Sequence, residues 1–193
     1  MRSKAFESDD IADAAMQVFW QRGYGATSVQ NLVEGTGLSR SSLYSTFESK
    51  EGLYQQALRR YAAVTTANVE LLSGPGSPQV LIRQLLVSVA DDELNDPQRR
   101  GCLVANATLE LAGHDATVAE LVAHNLQRLQ NALEALIQRG QQAGEILPEK
   151  NPRALARFFV NTMQGMRVLG KATPSELRRQ SLSDVIEVAL STL

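Results

Sequence analysis

Apolar residues recur at spacings of three and four along most of this chain, and hardly anywhere do they alternate. Ile11, Ala14, Ala15, Val18 and Phe19 predict a helix from about Ser8 to Arg22, with Gly23 as its stop. Val29, Leu32 and Val33 predict a second and Leu43 and Phe47 a third, both short. Ser49 is placed to cap a fourth helix, striped by Leu53, Tyr54, Ala57, Leu58 and Tyr61 and continuing to about Leu72. The run Ser73-Gly74-Pro75-Gly76-Ser77-Pro78 breaks any helix. Beyond it, Val80 to about Leu94 forms another, closed by Asn95-Asp96-Pro97. A further helix is expected from near Gly101 to Gly113, and a long one, capped by Asp115, reaches about Gly144. Pro148 sits in the connector that follows, and Pro152 suits the first position of the next helix. Two terminal helices, roughly 152–171 and 174–193, complete a chain with no strand pattern, repeat or low-complexity tract. The predicted class is all α.

The stretch Thr27–Phe47 is the most informative. Thr27 or Ser28 can cap the second helix, Gly37 can adopt the positive φ of a tight helix-to-helix turn, and Ser39 can cap the third helix. Leu38 and Leu43 are spaced as a hydrophobic staple across that cap, which fixes the entry angle. With Leu43 and Phe47 inward, Ser41, Ser42 and Ser45 point outward, flanked by Arg40 and Tyr44. Small hydroxyls, one Arg and one Tyr suit a helix inserted in a DNA major groove. Two short helices about a glycine turn also occur as ordinary corners of helical proteins, so spacing alone leaves both readings open.

Composition narrows the alternatives. The chain has 193 residues, is 44% hydrophobic, and contains no apolar run of membrane-spanning length and no secretory leader pattern at its start. Its one cysteine, Cys102, excludes an intrachain disulfide. Net charge is −2, and residues 1–60 carry seven Lys/Arg against seven Asp/Glu, so any hold on DNA must rest on local basicity. Arg2 and Lys4 form a short basic tail, whereas Asp9, Asp10 and Asp13 suit a helix N-terminus and would sit poorly against phosphates. Phosphate-loop, H-E-x-x-H, C-x-x-C and G-x-S-x-G signatures are absent. His114 and His124, ten residues apart, do not make a metal-ligand spacing, and no cofactor is called for.

The combination Gly25-x-Thr27-Ser28, Gly37-Leu38-Ser39-Arg40, Leu43-Tyr44-x-x-Phe47 and Ser49-Lys50-Glu51-x-Leu53 resembles the signature of the tetracycline-repressor (TetR) family of bacterial regulators. It covers roughly the first quarter of the chain. The resemblance implies a helix-turn-helix domain over 1–50, a helical ligand-binding and dimerisation domain over 51–193, and a homodimeric repressor released from a palindromic operator by a small-molecule or reactive effector; the chain's start and single cysteine lead to the expectation of a cytoplasmic protein. It also implies DNA contacts by Ser28, Gln30, Arg40, Ser41, Ser42, Tyr44, Ser45, Thr46 and Lys50, with Lys50 on a phosphate. The third helix departs from a strongly basic reader, having a single cation and serines at three outward sites. A helical interaction module or an enzyme without DNA binding is the alternative reading.

Two further sites are expected. Both terminal helices have broad apolar faces, and a twofold four-helix seam is assigned to Leu155, Phe159, Thr162, Met166, Leu182, Val185, Ile186, Ala189 and Leu190. An effector pocket is assigned to the least core-like residues of the second domain: Cys102, Asn106, Glu110, His124, Asn125, Arg128, Met163 and Arg167. Cys102 follows Arg99 and Arg100 and is expected in a helix's first turn, two influences that favour thiolate and would suit a sensor of oxidants or electrophiles; against that, a lone cysteine is more often a small buried hydrophobe.

Overall fold

The structure, a computed structural model, describes residues 4–193, with side chains described from Asp9 onward. Among these residues there are ten helices and no strand. They are α1 (Lys4–Arg22), α2 (Val29–Thr36), α3 (Arg40–Phe47), α4 (Lys50–Val64), α5 (Thr66–Ser73), α6 (Pro78–Asn95), α7 (Leu103–Glu110), α8 (Ala116–Gln142), α9 (Pro152–Ala172) and α10 (Ser175–Leu190). None of the described helices is long and apolar enough to cross a membrane. Contacts group the chain into two compact units, residues 1–64 with 103–123, and residues 65–102 with 124–193.

In the first unit, Ala12, Ala15, Met16 and Phe19 of α1 are buried with Leu32, Leu43, Phe47, Leu53, Tyr54, Ala57, Leu58 and Tyr61. Phe19 meets Tyr54 edge-on at 4.9 Å, and Trp20 meets Tyr61 at 5.1 Å. Such aromatic pairs are worth about 0.5–1.5 kcal/mol beyond the area they bury. Helix α1 already includes Lys4, a turn ahead of the expected start at Ser8, because Lys, Ala, Phe and Glu are compatible with a helix and nothing between Lys4 and Ser8 stops it. Asp9 and Asp13 therefore lie within the helix, where the Arg60 guanidinium takes Asp13 through two bonds, at 2.8 and 2.6 Å, and Asp9 at 3.5 Å. Arg2 and the side chain of Lys4, the predicted basic tail, lie outside the described residues.

In the second unit, α6, α9 and α10 pack around Leu81, Ile82, Leu85, Leu86, Val89, Phe159, Val160, Met163, Met166, Leu182, Ile186 and Leu190, with Leu133, Leu136 and Ile137 of α8 joining the same cluster. This core holds three charged side chains, Glu93, Arg167 and Arg178. Arg167 reaches Asp92 at 3.1 Å and Glu93 at 3.6 Å, while Arg178 donates to the Glu93 and Thr173 carbonyls. Burial pushes the Glu93 carboxyl above its ordinary range, opposed by the Arg167 charge.

Several boundaries differ from the sequence reading. The helix expected to run from Ser49 to Leu72 is interrupted at Thr65. Asn125 donates to the Thr65 hydroxyl and Arg128 to that of Thr66, at 3.0 and 2.8 Å, and these long-range bonds secure a turn that the periodicity runs straight through. The helix expected near Gly101 begins at Leu103, because Arg99 and Gly101 adopt φ of +50° and +64° and cannot enter a right-handed helix. Asp96 fixes that loop by accepting from the backbone amides of Gln98 and Arg100. Helix α8 is capped as expected, the Val118 amide donating to Asp115 at 3.0 Å, and α9 begins with Pro152 behind an Asn151 cap.

Candidate nucleic-acid interface

The reading unit is built from local hydrogen bonds. Ser28 is extended, with φ −83° and ψ 162°, and its Oγ accepts the Asn31 amide at 3.1 Å while Asn31 Oδ1 accepts the Ser28 amide at 2.9 Å. Two orphan donors of α2 are thus satisfied reciprocally, with Asn in the position usually held by Glu or Gln. Gly37 closes α2 at φ +71°, donating to the Val33 carbonyl at 3.0 Å. Ser39 caps α3 by accepting the Ser42 amide at 3.1 Å, and its hydroxyl lies 2.9 Å from those of both Ser41 and Ser42. Glu48 ends α3 at φ +62°, and Ser49 accepts the Gly52 amide in the first turn of α4.

This arrangement gives α3 two unlike faces. Leu43 and Phe47 are buried, whereas Arg40, Ser41, Tyr44, Ser45 and Thr46 are exposed and Ser42 is half-buried. The Arg40 guanidinium lies 5.9 Å from the Tyr44 ring centre, so the two long side chains flank one another on the outer surface. Ser45 spends its hydroxyl proton on the Ser42 carbonyl at 3.0 Å. On α2, Ser28 and Gln30 are exposed, and Gln30 donates to Glu34 at 2.9 Å. Lys50 is half-buried, its ammonium 4.2 Å above the Tyr24 ring, and burial lowers its proton affinity while Glu110 acts to restore it. The predicted DNA contacts thus fall within one unit, along α2, α3 and the start of α4.

The predicted effector residues do not gather in the same way. Asn106 and Glu110 lie on α7 in the first unit, and Glu110 accepts the Gly25 amide at 2.9 Å. Cys102, His124, Asn125, Arg128, Met163 and Arg167 belong to the second unit. There Asn125 and Arg128 hold the threonine turn, Met163 and Arg167 are core residues, and His124 is exposed. Cys102 precedes α7 rather than opening it and is 5% exposed. Arg99 is bonded to Ser175 and Arg100 to Asp96. A cavity of about 320 Å³ lined by Pro78, Gln79, Glu145, Ile146, Leu190 and Leu193 includes none of the predicted effector residues. Among the described residues, no group of three or more His, Cys, Asp or Glu could hold a metal ion.

The predicted seam divides as well. Phe159, Met166, Leu182, Ile186, Ala189 and Leu190 are buried in the chain's own core, since α6 covers the face that sequence alone leaves uncovered. Leu155 and Thr162 are half-buried and Val185 is exposed. Phe158, Val168, Leu169, Leu177 and Val188 are the other large exposed apolar side chains of these two helices.

A capped helix, a glycine turn and a capped second helix with a polar outer face form a helix-turn-helix unit of the kind DNA-binding proteins use. Comparison with known proteins names its kind. Residues 11–57 match the family described as "Bacterial regulatory proteins, tetR family", and residues 82–182 match "Tetracyclin repressor-like, C-terminal domain". The chain is 31% identical over 195 residues to YezE of Bacillus subtilis (strain 168), an uncharacterised HTH-type transcriptional regulator, covering 100% of this chain and 98% of YezE. It is 30% identical over 194 residues to the HTH-type transcriptional repressor ComR of Escherichia coli (strain K12), covering 100% of this chain and 90% of ComR. A cysteine mutant of the TetR family regulator CifR, solved with 26-bp double-strand operator DNA, superposes with a TM-score of 0.81 at 28% identity, over 96% of this chain and 98% of CifR. The chain belongs to the tetR family of bacterial regulatory proteins. It is a DNA-binding transcriptional regulator, dimeric and ligand-responsive as that family is, and not an enzyme.

Proposed function

We propose that this protein is a cytoplasmic repressor whose dimer sets one α3 in each of two successive major grooves of a palindromic operator. The observation that carries this reading is the division of α3 into a buried Leu43/Phe47 face and an exposed face of Arg40, Ser41, Tyr44, Ser45 and Thr46. Arg40 is assigned to a base edge, where guanidinium suits guanine, and Tyr44 flanks it. Ser41, Ser42, Ser45 and Thr46 contribute hydroxyls directly or through water, with Ser28 and Gln30 at the groove edge and Lys50 on a phosphate. Residues 1–50 carry this function. Residues 51–193 carry dimerisation, for which the outer faces of α9 and α10 remain available, and binding of an effector that releases the operator. The similarity to ComR, a transcriptional repressor, and to CifR, solved on operator DNA, supports the same reading. A salt-dependent gel shift on DNA from upstream of the protein's own coding sequence tests it. Saturable binding that weakens steeply with salt and tracks one palindrome is expected, and equal retention of scrambled duplex would refute it.

A further inference from the structure

The turn between α1 and α2 sets where α2 begins, and the Gly37 turn carries that position on to α3. This turn is held by a carboxylate from far along the chain. The Gly25 amide donates to Glu110 Oε2 at 2.9 Å, across 85 residues of sequence. Gly23 borders the same carboxylate at φ +80°, and a Cβ there would stand 2.6 Å from Glu110 Oε1. The turn therefore offers the carboxylate both an amide and the space to reach it. Thr27, buried beside it, donates to the Gly23 carbonyl at 2.6 Å, so the anchored segment runs directly into the Ser28 cap of α2.

Local physics argues against glutamate at this place. Glu110 is the last residue of α7, where the helix dipole disfavours a negative charge. Its compensation is tertiary: the Gly25 amide, and the Lys50 ammonium, whose charge Glu110 helps to retain against burial. Lys50 in turn lies over Tyr24, the residue between the two turn glycines, whose ring stacks on Phe19 at 6.2 Å and lies tilted against Tyr54 at 4.9 Å.

We propose that Glu110 is a positioning residue for DNA binding: its carboxylate holds the Gly23–Gly25 turn, and through it the presentation of α2 and α3, without touching DNA itself. A shift of α7 is then felt at the reading helices. The inference rests on α3 as the DNA reader, and its test separates the two claims by measuring Gly25 amide exchange alongside affinity for the upstream duplex.

In Glu110→Ala, Gly25 exchange should quicken and affinity should fall about tenfold, the expected loss for a hydrogen bond to a charged group, with the salt slope unchanged because no phosphate contact is removed. Glu110→Gln keeps an oxygen at the same reach and should restore most of both. Glu110→Asp keeps the charge but is one methylene too short, and should behave like Ala. Unchanged Gly25 exchange in Glu110→Ala would overturn the proposal, as would faster exchange with wild-type affinity, or a reduced salt slope. If Glu110→Ala does not fold, the Asp and Gln variants decide, and equal behaviour of the two overturns it. A wild type that does not bind the duplex refutes the DNA reading itself, and the proposal with it.

Discussion

Gly35, in the last turn of α2, packs directly against α1. A Cβ there would fall well inside van der Waals contact with Val18 Cγ2, yet 3.7 Å from Val18 Cβ, an ordinary distance. Substituting Gly35→Ala therefore brings two opposed effects. Helix propensity favours alanine by up to about 1 kcal/mol, and overpacking against a stiff β-branched side chain costs about 1–3 kcal/mol. The net change in the wild-type background should be a destabilisation of roughly 1 kcal/mol. In a Val18→Ala background the offending Cγ2 is gone, and the same Gly35→Ala change should stabilise by up to about 1 kcal/mol. The double-mutant cycle should thus show a coupling of about 2 kcal/mol. Urea unfolding followed by helical circular dichroism, at one protein concentration because a dimer's stability depends on it, supplies the four values. A coupling within about 0.3–0.5 kcal/mol of zero, the range for independent sites, would refute the reasoning. The close approach of α1 and α2 would then be more plastic than the geometry allows.

Four other outcomes are expected. Arg40→Ala should cost about 1–3 kcal/mol of operator affinity and relax preference at one base position, whereas Lys50→Ala should weaken all sequences alike and lower the salt slope by about one; binding-site selection and salt titration check both. Phe158→Glu or Val185→Glu should separate the dimer in sedimentation while leaving each chain helical, whereas Ile186→Glu, which buries an unpaired carboxylate in the chain's own core, should unfold it. Glu93 has a raised folded pKa, so the folded state holds its proton longer, and stability should fall as pH rises from the ordinary 4.5 through the raised value. Glu93→Gln should remove that part of the slope in melts against pH. Cys102→Ser should respond to peroxide, hypochlorite or a reactive aldehyde as the wild type does if the buried thiol is not the sensor, and loss of operator release in the variant alone would assign it that role.

The sequence by itself determined what depends on neighbours a few residues away. Ser28, Ser39, Asp115 and Pro152 mark helix starts because a cap is a bond within one turn, and Gly37 marks the turn of the reading unit because its left-handed backbone excludes most side chains. The buried stripe of Leu43 and Phe47 followed from the helical period, and with it the outward face of Arg40, Tyr44 and the serines. Only the tertiary structure decided what lies across such a face. Periodicity shows that Phe159, Leu182 and Ile186 are covered, but not whether the cover is α6 of the same chain or a second copy, because both bury the same area. Nor could it show that Asn125 and Arg128 reach the turn at Thr65, that Arg99 and Gly101 take left-handed backbones, which leaves Cys102 ahead of α7, or that Glu110 belongs with Gly25. Each of those depends on partners distant in the chain, and a hydrogen bond across 85 residues leaves no spacing to read.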